Sequence, residues 1–367
     1  MSEKMVRCLG VESHKQMYFW EYPEGDLPDG QFRVETLYTG FSAGTELTFF
    51  KETNPFFHST YDDEIGVFSH EHGMTHFPVP FLGYMEVARV TQTRTPVVNE
   101  SDVVAMTYGH KSGHTVDPRH EFFVVLPPEI DPILGIYIGQ MGPVCANGLL
   151  HAAADVVGAN AASLADGVQG RNVLVMGAGV VGLLTGLFAR HFGAANVAIA
   201  DRTTQRLEAA SALGLIPIDE NHVESWRWCK DRWNYGAGDH GADVAFQCRA
   251  DKSSLPNALR ALRPDSTVID LAFYEGGQPE LKLGEEFHHN GLAIRCAQIY
   301  HQPRGLRGTW NRHRLALETL ELLKTHGDAI RQNIITDVVP FEEAPHLVSA
   351  LSRRNRHVIQ AVFQVAH

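Results

Sequence analysis

The sequence predicts an α/β protein in two parts: a doubly wound parallel sheet, and a β-rich domain that precedes it. Three observations carry this. Between Arg171 and Asp201 the chain runs apolar segment, glycine turn, helix-like segment, second apolar segment, acid. From Thr203 to Leu271 helix-like and strand-like segments alternate, as in strands joined by crossover helices. Before Pro127 and Pro128 the pattern differs, with short β-rich runs separated by Gly, Pro and Asp clusters.

The glycine turn organises the rest. Asn172 to Met176 is a short apolar run suited to a buried strand, and Val180 to His191 is helix-like. Between them Gly177, Gly179 and Gly182 stand in the spacing G-x-G-x-x-G. Val197 to Ala200 is a second strand, ending on Asp201. This is the context in which the fingerprint binds a dinucleotide, and it makes the unit a Rossmann fold. Gly177 permits the tight turn. Gly179 lets a pyrophosphate approach the backbone at Val180 and Val181, where unpaired N–H groups of a helix N-terminus favour an anion. Gly182 lets the helix pack closely on the strand. Asp201, 24 residues after Gly177, is placed for the adenosine ribose hydroxyls and would repel a 2′-phosphate, so NAD is expected. Arg202 beside it can accept a phosphate, which keeps NADP as the alternative. A glycine turn with no nucleotide is the plainer reading of the same motif.

Taken in order, Arg33–Tyr38, Val87–Thr91, Val103–Thr107 and Glu121–Leu126 read as strands of a mostly antiparallel, barrel-like domain. Phe49 to Phe81 is irregular and rich in aromatic residues and histidine, the mark of a functional loop region. Ile133–Gly158 reads as tightly packed helix. After the glycine turn come a helix at Thr203–Leu213, a strand at Ile216–Ile218, a helix at Glu224–Trp233 and a strand at Ala242–Gln247. A helix at Ser253–Leu262 and a strand at Thr267–Leu271 follow. Leu292–Ile299 is expected as an edge strand, Trp310–Thr325 and Phe341–Arg354 as helices, and Val358–Val365 as a closing strand. The domains expected are 1–141, 142–304, and a return segment, 305–367, that completes the first.

Composition narrows the function classes. With 44% hydrophobic and 20% charged residues, a chain of 367 residues can bury a full core. A net charge of −12 argues against a nucleic-acid binder. Arg353, Arg354 and Arg356 read as a solvated helix face. The opening MSEKMVRCLGVESHK lacks the apolar core of a signal peptide, and no apolar stretch reaches membrane-spanning length, so a cytoplasmic protein is expected, with no membrane partner. Cys8, Cys145, Cys229, Cys248 and Cys296 are scattered and form no C-x-x-C pair, which suggests neither a disulfide framework nor a cysteine zinc cluster.

A β-rich domain, a Rossmann unit and a short return segment form the layout of the medium-chain dehydrogenase/reductase superfamily, which the chain resembles over nearly its whole length. The matching phrases are TGFSAGTE (39–46), PFLGYMEVARV (80–90), SDVVAM (101–106), NVLVMGAGVVG (172–182) and ALRPDSTVIDLAFYEGG (261–277). The form GAGVVG looks like that of polyol and alcohol dehydrogenases. The resemblance implies a GroES-like catalytic domain and hydride transfer between a nicotinamide and a carbonyl/alcohol pair, in a cleft between the domains. It also implies that Ala272 to Gly277, with Ala272 and Phe273 foremost, lies against the nicotinamide, and that the Leu292–Ile299 strand pairs two subunits into a homodimer.

The chain departs from the family at its zinc. Zinc members carry a cysteine shortly after the glycine of the first phrase and G-H-E in the second, and a zinc Lewis acid needs three protein ligands and an open position. Here the cysteine position falls on Ser42, counting from Gly40, or on Ala43, counting back from Thr45 and Glu46. Tyr84 and Met85 replace the histidine and its neighbour. No cysteine occurs between Cys8 and Cys145, so the structural zinc lobe is missing too, and no zinc is expected. His70, Glu71, His72 and His76 are the best alternative metal cluster, and a polar loop is their plainer reading. Without zinc, other groups must stabilise the alkoxide and move the proton. By the resemblance these are Tyr84, in the slot of the lost histidine, Thr45, at the start of the proton relay, Glu46 beside it, and Ser42. Packing in the cleft wall is the alternative for Tyr84, and a structural role for Glu46. His288 or His289, after Glu286, is a further candidate proton carrier.

The reading is a zinc-independent, NAD-preferring oxidoreductase for a secondary alcohol or ketone. His58, His70, Glu71, His110 and His114 would suit a sugar, polyol or cyclitol, whereas Phe49, Phe50, Phe56 and Phe57 could line an apolar site. Two rivals remain: an epimerase or lyase that oxidises its substrate transiently on bound NAD, and a non-catalytic NAD(H)-binding protein.

Overall fold

The computed structural model describes residues 4–278 and 280–365. The chain forms two compact units, one from Met141–Ile334 and one from the residues up to Gln140 together with those from Ile335 onward.

In the first of these, six strands pair in the spatial order Ile216–Asp219, Asn196–Asp201, Asn172–Met176, Ala242–Gln247, Leu262–Asp270, Ala293–Cys296. Every pairing is parallel. Numbered along the chain this is 3-2-1-4-5-6, the doubly wound order of a Rossmann sheet. The strands read as continuous apolar runs because both faces are covered: Val173, Leu174, Val175, Met176 and Ala198 to Ala200 are all buried. Helices Val180–His191, Thr204–Ala212, Ser225–Arg232 and Ser254–Ala261 are the connections. The fifth strand starts at Leu262, earlier than its apolar run suggests, and the expected 292–299 strand shortens to Ala293–Cys296 at the sheet's edge.

The second boundary falls thirty residues later than the expected 304/305. Helix Arg312–Asn333 belongs to the nucleotide-fold unit because it packs against helix Met141–Val157. The contact is close enough that a Cβ on Gly142 would sit 2.1 Å from the Thr319 methyl. Just before the helix, Trp310 Nε1 donates to the Ala161 carbonyl at 3.0 Å. The return segment therefore begins at Ile335. The first half of the expected Ile133–Gly158 helix is a separate 3₁₀ segment, Pro132–Tyr137, capped by Asp131.

The other unit is the β-rich, GroES-like one. Its main sheet runs Ile335–Pro340, Gln360–Gln364, Phe32–Phe41, Glu86–Thr93, Val103–Met106, Val124–Val125, with Gly113–Val116 paired to the other half of Phe32–Phe41. Bulges in the Phe32–Phe41 pairing at Arg33/Val34 and Thr36/Tyr38 bend it. The strand expected at Glu121–Leu126 survives only as Val124–Val125. A hairpin of Met5–Ser13 and Gln16–Pro23 had no counterpart among the expected strands, although Val6, Cys8, Leu9 and Val11 are all buried. The Phe49–Phe81 region is ordered into the end of helix Ala43–Phe50, a 3₁₀ turn at Pro55–Phe57 and a short hairpin, Thr60–Asp62 with Val67–Ser69. Among the described residues no helix is long and apolar enough to cross a membrane.

The helix–helix contact sets a test. Overpacked core positions cost about 1–3 kcal/mol, so Gly142→Ala should lower stability to unfolding by roughly that amount. Adding Thr319→Ala removes the obstructing methyl and should restore most of the loss. Independent, additive losses in the double variant would show that the two helices do not meet there.

Candidate cofactor and hydroxyl sites

The glycine turn sits at the carboxyl edge of the parallel sheet. There Gly177 N donates to Ala200 O (2.8 Å), Cys248 N to Met176 O (2.9 Å) and Leu271 N to Gln247 O (2.9 Å), which lines up the ends of four strands. Gly177 has φ +97°, a left-handed value that suits glycine, and a Cβ there would meet the Arg249 Cβ at 2.7 Å. Gly182 is pressed against the turn: its Cβ would lie 1.8 Å from Gly177 O. Gly179 is the helix N-cap and is open, with nothing within 4 Å of an added Cβ. Val180 and Val181 follow it, partly exposed, at the first helical positions. A close-packed Gly182 and an uncovered Gly179 make a cradle that fits a pyrophosphate on the helix N-terminus.

Asp201 is 3% exposed and already well partnered. Ala178 N donates to Oδ2 (2.9 Å), while Arg202 N and Thr203 N donate to Oδ1 (2.8 and 2.9 Å). Burial alone would raise this carboxyl. The N–H groups of Ala178 and Thr203 and the Arg206 guanidinium, 3.8 Å away, more than offset burial and hold it below the ordinary carboxylate range. The carboxylate is therefore held in its charged form, and it also ties the second strand to the glycine turn. Arg202 is exposed, with Nη2 donating to Ser253 Oγ at 3.3 Å. Arg249 was not singled out in the sequence. It packs on Gly177, donates from Nη2 to Glu220 (2.8 Å) and keeps a buried Nε without a partner. Its position just past a strand's carboxyl end was the available signal. Ala272 and Phe273 follow the fifth strand at the same edge: Ala272 N donates to Asp270 Oδ1 (2.9 Å), and Phe273 is 47% exposed.

In the β-rich unit, Ser42, Thr45 and Tyr84 come together. The Tyr84 hydroxyl donates to Ser42 Oγ at 2.5 Å and reaches Thr45 Oγ1 at 3.4 Å. Ser42 is the N-cap residue of helix Ala43–Phe50 and Thr45 lies in its first turn. Tyr84 precedes strand Glu86–Thr93 and follows Gly83, which has φ +93°. Burial, partly opposed by hydrogen bonds with Ser42 and Thr45, pushes the Tyr84 phenol up to about 12.

Glu46 does not join them. It is 2% exposed, and its carboxylate accepts Ser42 N on Oε1 (2.7 Å) and faces His110 Nε2 on Oε2 (2.6 Å). His110 Nδ1 meets Thr39 Oγ1 at 2.5 Å, and Thr39 donates to Glu86 Oε1 at 3.1 Å. Burial would lower the imidazole's proton affinity, but Glu46 and Glu86 outweigh it and raise it. Burial pushes Glu86 up to about 7. Neither Glu86 nor the pairing of His110 with Glu46 was legible, because nothing in the spacing of 46, 86 and 110 says that they meet.

Other polar candidates are dispersed. His110 is interior, and His114 is committed to Glu121 at 2.6 Å, so neither is a free lining group. His58, His70, Glu71, His72 and His76 are exposed, and among the described residues no group of three or more His, Cys, Asp or Glu side chains is assembled for a metal. Glu286 pairs with Arg260 (3.3 Å), and His288 and His289 are exposed. The five cysteines are free thiols.

The Asp201 bonds predict a pH-dependent variant. Its folded-state proton affinity is depressed, so the stability it contributes is present above the unfolded value, about 4, and is lost as pH falls through the lower folded value. Asp201→Asn, which turns an acceptor into a donor toward Ala178 or the 202–203 amides, should cost roughly 1–3 kcal/mol at pH 7. Denaturant unfolding should show the gap to the unaltered protein narrowing below about pH 4. A gap independent of pH would remove the charge from the account.

The zinc-binding dehydrogenase family model matches residues 180–313, which lie wholly within the nucleotide-fold unit. D-guloside 3-dehydrogenase of Escherichia coli K12 is 27% identical over 177 residues, covering 47% of this chain and 48% of that protein. Sorbitol dehydrogenase 1 of Saccharomyces cerevisiae is 31% identical over 122 residues, 31% of this chain and 33% of that one. The chain thus spans about half or less of the length of these curated relatives. A zinc-binding dehydrogenase candidate from Sinorhizobium meliloti 1021, solved bound to NADP, has the same fold: TM-score 0.72 at 17% identity, over 99% of this chain and 100% of that one. With the 3-2-1-4-5-6 sheet, the glycine turn and the β-rich unit completed by the chain's last strands, the chain shares the fold of that solved dehydrogenase, and its nucleotide-fold unit is similar in sequence to zinc-binding dehydrogenases.

Proposed function

We propose that the protein is a zinc-independent dehydrogenase/reductase that interconverts a secondary alcohol and its ketone with NAD(H), with Tyr84 as the group on the substrate oxygen. The observation that carries this reading is the Ser42–Thr45–Tyr84 hydroxyl cluster; by the resemblance, Tyr84 stands in the slot of a zinc-ligand histidine, and Ser42 or Ala43 in that of the cysteine. Two aliphatic hydroxyls and a phenol are neutral oxygen donors, a poor set for a zinc ion, which takes thiolate, imidazole and carboxylate. Kinship with the guloside and sorbitol dehydrogenases favours a sugar, polyol or cyclitol.

The cofactor, when bound, supplies or accepts the hydride at the substrate carbon. The chain's own residues do the rest. The cradle at Gly177, Gly179 and Gly182 holds the pyrophosphate, Val180 and Val181 offer their N–H groups to it, and Asp201, still ionised, disfavours a 2′-phosphate. Ala272 and Phe273, at the same sheet edge, form a wall for the nicotinamide. In reduction, negative charge grows on the carbonyl oxygen. The Tyr84 phenol, protonated at any physiological pH, turns its hydrogen from Ser42 to that oxygen and then transfers it. The Ser42 and Thr45 hydroxyls donate to the phenolate left behind. In oxidation only the minor phenolate form takes the alcohol's proton, along the same bond, and solvent water returns the phenol to its resting form after each reduction. The homodimer is part of this reading, since strand Ala293–Cys296 ends its sheet with one side unpaired.

Binding of NADH and NADPH should be measured by fluorescence on protein assayed for metal in the same sample, followed by a screen of polyols and ketones. Tight NADH, weaker NADPH, no stoichiometric zinc and turnover that consumes the cofactor are expected. Tyr84→Phe should lower kcat by about 10²–10⁴, the usual weight of a proton-transfer group, and leave NADH affinity intact. Stoichiometric zinc, or a Tyr84→Phe variant with full activity, would overturn the mechanism. Turnover without net NADH would point to the transient-oxidation chemistry of an epimerase or lyase. Failure to bind either nucleotide would remove the dehydrogenase altogether, and a monomer in sedimentation the dimer.

A further inference from the structure

We propose that His110 is the positioning residue of the hydroxyl cluster: with Glu46, Thr39 and Glu86 it forms a buried charged chain that fixes where Ser42, Thr45 and Tyr84 point. The inference rests on the reading that these hydroxyls meet the reacting oxygen.

The bonding pattern fixes the hydrogens. Thr39 has one hydroxyl hydrogen and gives it to Glu86 Oε1 (3.1 Å), so it can only accept from His110 Nδ1 (2.5 Å). His110 Nε2 faces the Glu46 carboxylate (2.6 Å), an acceptor, so this nitrogen donates as well. Both ring nitrogens then carry hydrogen, and His110 is an imidazolium between two carboxylates. A second arrangement keeps every bond: Glu86 holds the proton and donates to Thr39, Thr39 donates to a bare Nδ1, and Nε2–H stays on Glu46. One proton moves through one hydroxyl, the net charge is the same either way, and the bond to Glu46 never breaks.

That constant bond holds Ser42 directly and adjoins the backbone that carries Thr45 and Tyr84. Glu46 Oε1 receives Ser42 N (2.7 Å), and Glu46 is the helix neighbour of Thr45. On the other side, the imidazole occupies the space a side chain at Gly83 would need, 2.8 Å from its added Cβ, and Gly83 leads directly into Tyr84. The His110 backbone N donates to Leu82 O at 2.7 Å. Phe41 stacks on the ring at 6.3 Å and Phe363 meets its edge at 5.3 Å. His110, Glu46 and Glu86 are 1%, 2% and 0% exposed. A core histidine needs one partner; this one has a partner on each nitrogen and an aromatic wall. Buried charges of this kind contribute little net stability because of the desolvation they suffer, so holding a geometry is their better-supported use. The other titratable groups that bear on the chain are Tyr108, whose N–H donates to Glu86 Oε2 (2.9 Å), Lys111, and Cys8 behind Lys111.

The test uses the full chain with ¹³Cζ-labelled tyrosine, the Tyr84 resonance being assigned as the one missing in Tyr84→Phe. His110→Gln should shift that resonance at pH 7.5, lower kcat at least about tenfold, as sub-ångström misplacement can, and leave KM and NADH affinity within about twofold. If that variant does not fold, His110→Gln with Glu46→Gln replaces both charges by a neutral amide pair and is read in the same way. Glu86→Gln keeps its amide oxygen on Tyr108 N–H and turns its NH₂ toward Thr39, which then donates to Nδ1, so the bond from Nε2–H to Glu46 stays while His110 becomes neutral. In it ¹⁵N spectra should show a bare Nδ1 and a protonated Nε2 on His110. An unmoved Tyr84 resonance in the His110 variants, or a His110 Nε2 without its hydrogen in Glu86→Gln, overturns the proposal. Full activity in Tyr84→Phe overturns the proposed function instead, and the resonance still judges His110.

Discussion

The nucleotide-fold unit depends on one close approach, that of Gly182 to the carbonyl of Gly177. With any side chain at 182 the helix would have to move away, and its N-terminus, with Gly179 as N-cap, would leave the glycine turn. The same turn is held from a second strand, because the buried Asp201 carboxylate receives Ala178 N–H. Glycine packing and a charged hydrogen bond thus set the anion cradle from two directions. A Cβ added at Gly179 would meet nothing within 4 Å, so packing does not demand glycine there; its missing side chain makes sense as room for a ligand.

The β-rich unit solves a different problem. Its sheet buries Glu46, Glu86 and His110 together, where an isolated carboxylate would be neutralised or would destabilise the fold. Pairing through Thr39 removes most of that penalty, but an apolar trio would remove all of it. Stability alone does not explain why the chain keeps three ionisable groups there. The explanation lies in what they adjoin: a helix start carrying two hydroxyls and a left-handed glycine leading into a phenol.

Legibility in the sequence followed locality. The Rossmann unit was readable because each part of it is a short run: apolar strand, three glycines at fixed spacing, helix, acid. Alternation made its sheet parallel and doubly wound; the strand order came from the structure. The hydroxyl cluster was readable only through resemblance, since Ser42 and Thr45 share a helix start but Tyr84 arrives from a distant segment. The His110–Glu46 pair left no mark, because a hydrogen bond across 64 residues has no period. The Arg312–Asn333 helix was seen as a helix but given to the wrong unit, because its amphipathic pattern says that it packs and not on what; Gly142 against Thr319 decides that. The first hairpin was missed since Met17–Trp20 is half-buried throughout and Cys8–Val11 buried throughout, so neither strand shows a clean alternation.

Substrate class shows the same limit from another side. The polar residues that suggested a hydroxyl-rich substrate were counted by type, and burial decides which of them are available. His110 and His114 are spent on Glu46 and Glu121, while Phe56, Tyr61 and Phe68 form a contiguous ring cluster around the Val67–Ser69 hairpin, with Tyr61 and Phe68 exposed. Kinship with sugar and polyol dehydrogenases rests on partial alignments, and the family match lies within the nucleotide-fold unit. That kinship therefore bears chiefly on the cofactor half of the chemistry. The Ser42–Thr45–Tyr84 cluster lies in the β-rich unit, outside the stretch that the family model matches, so the proposed role of Tyr84 has to be tested on this chain itself.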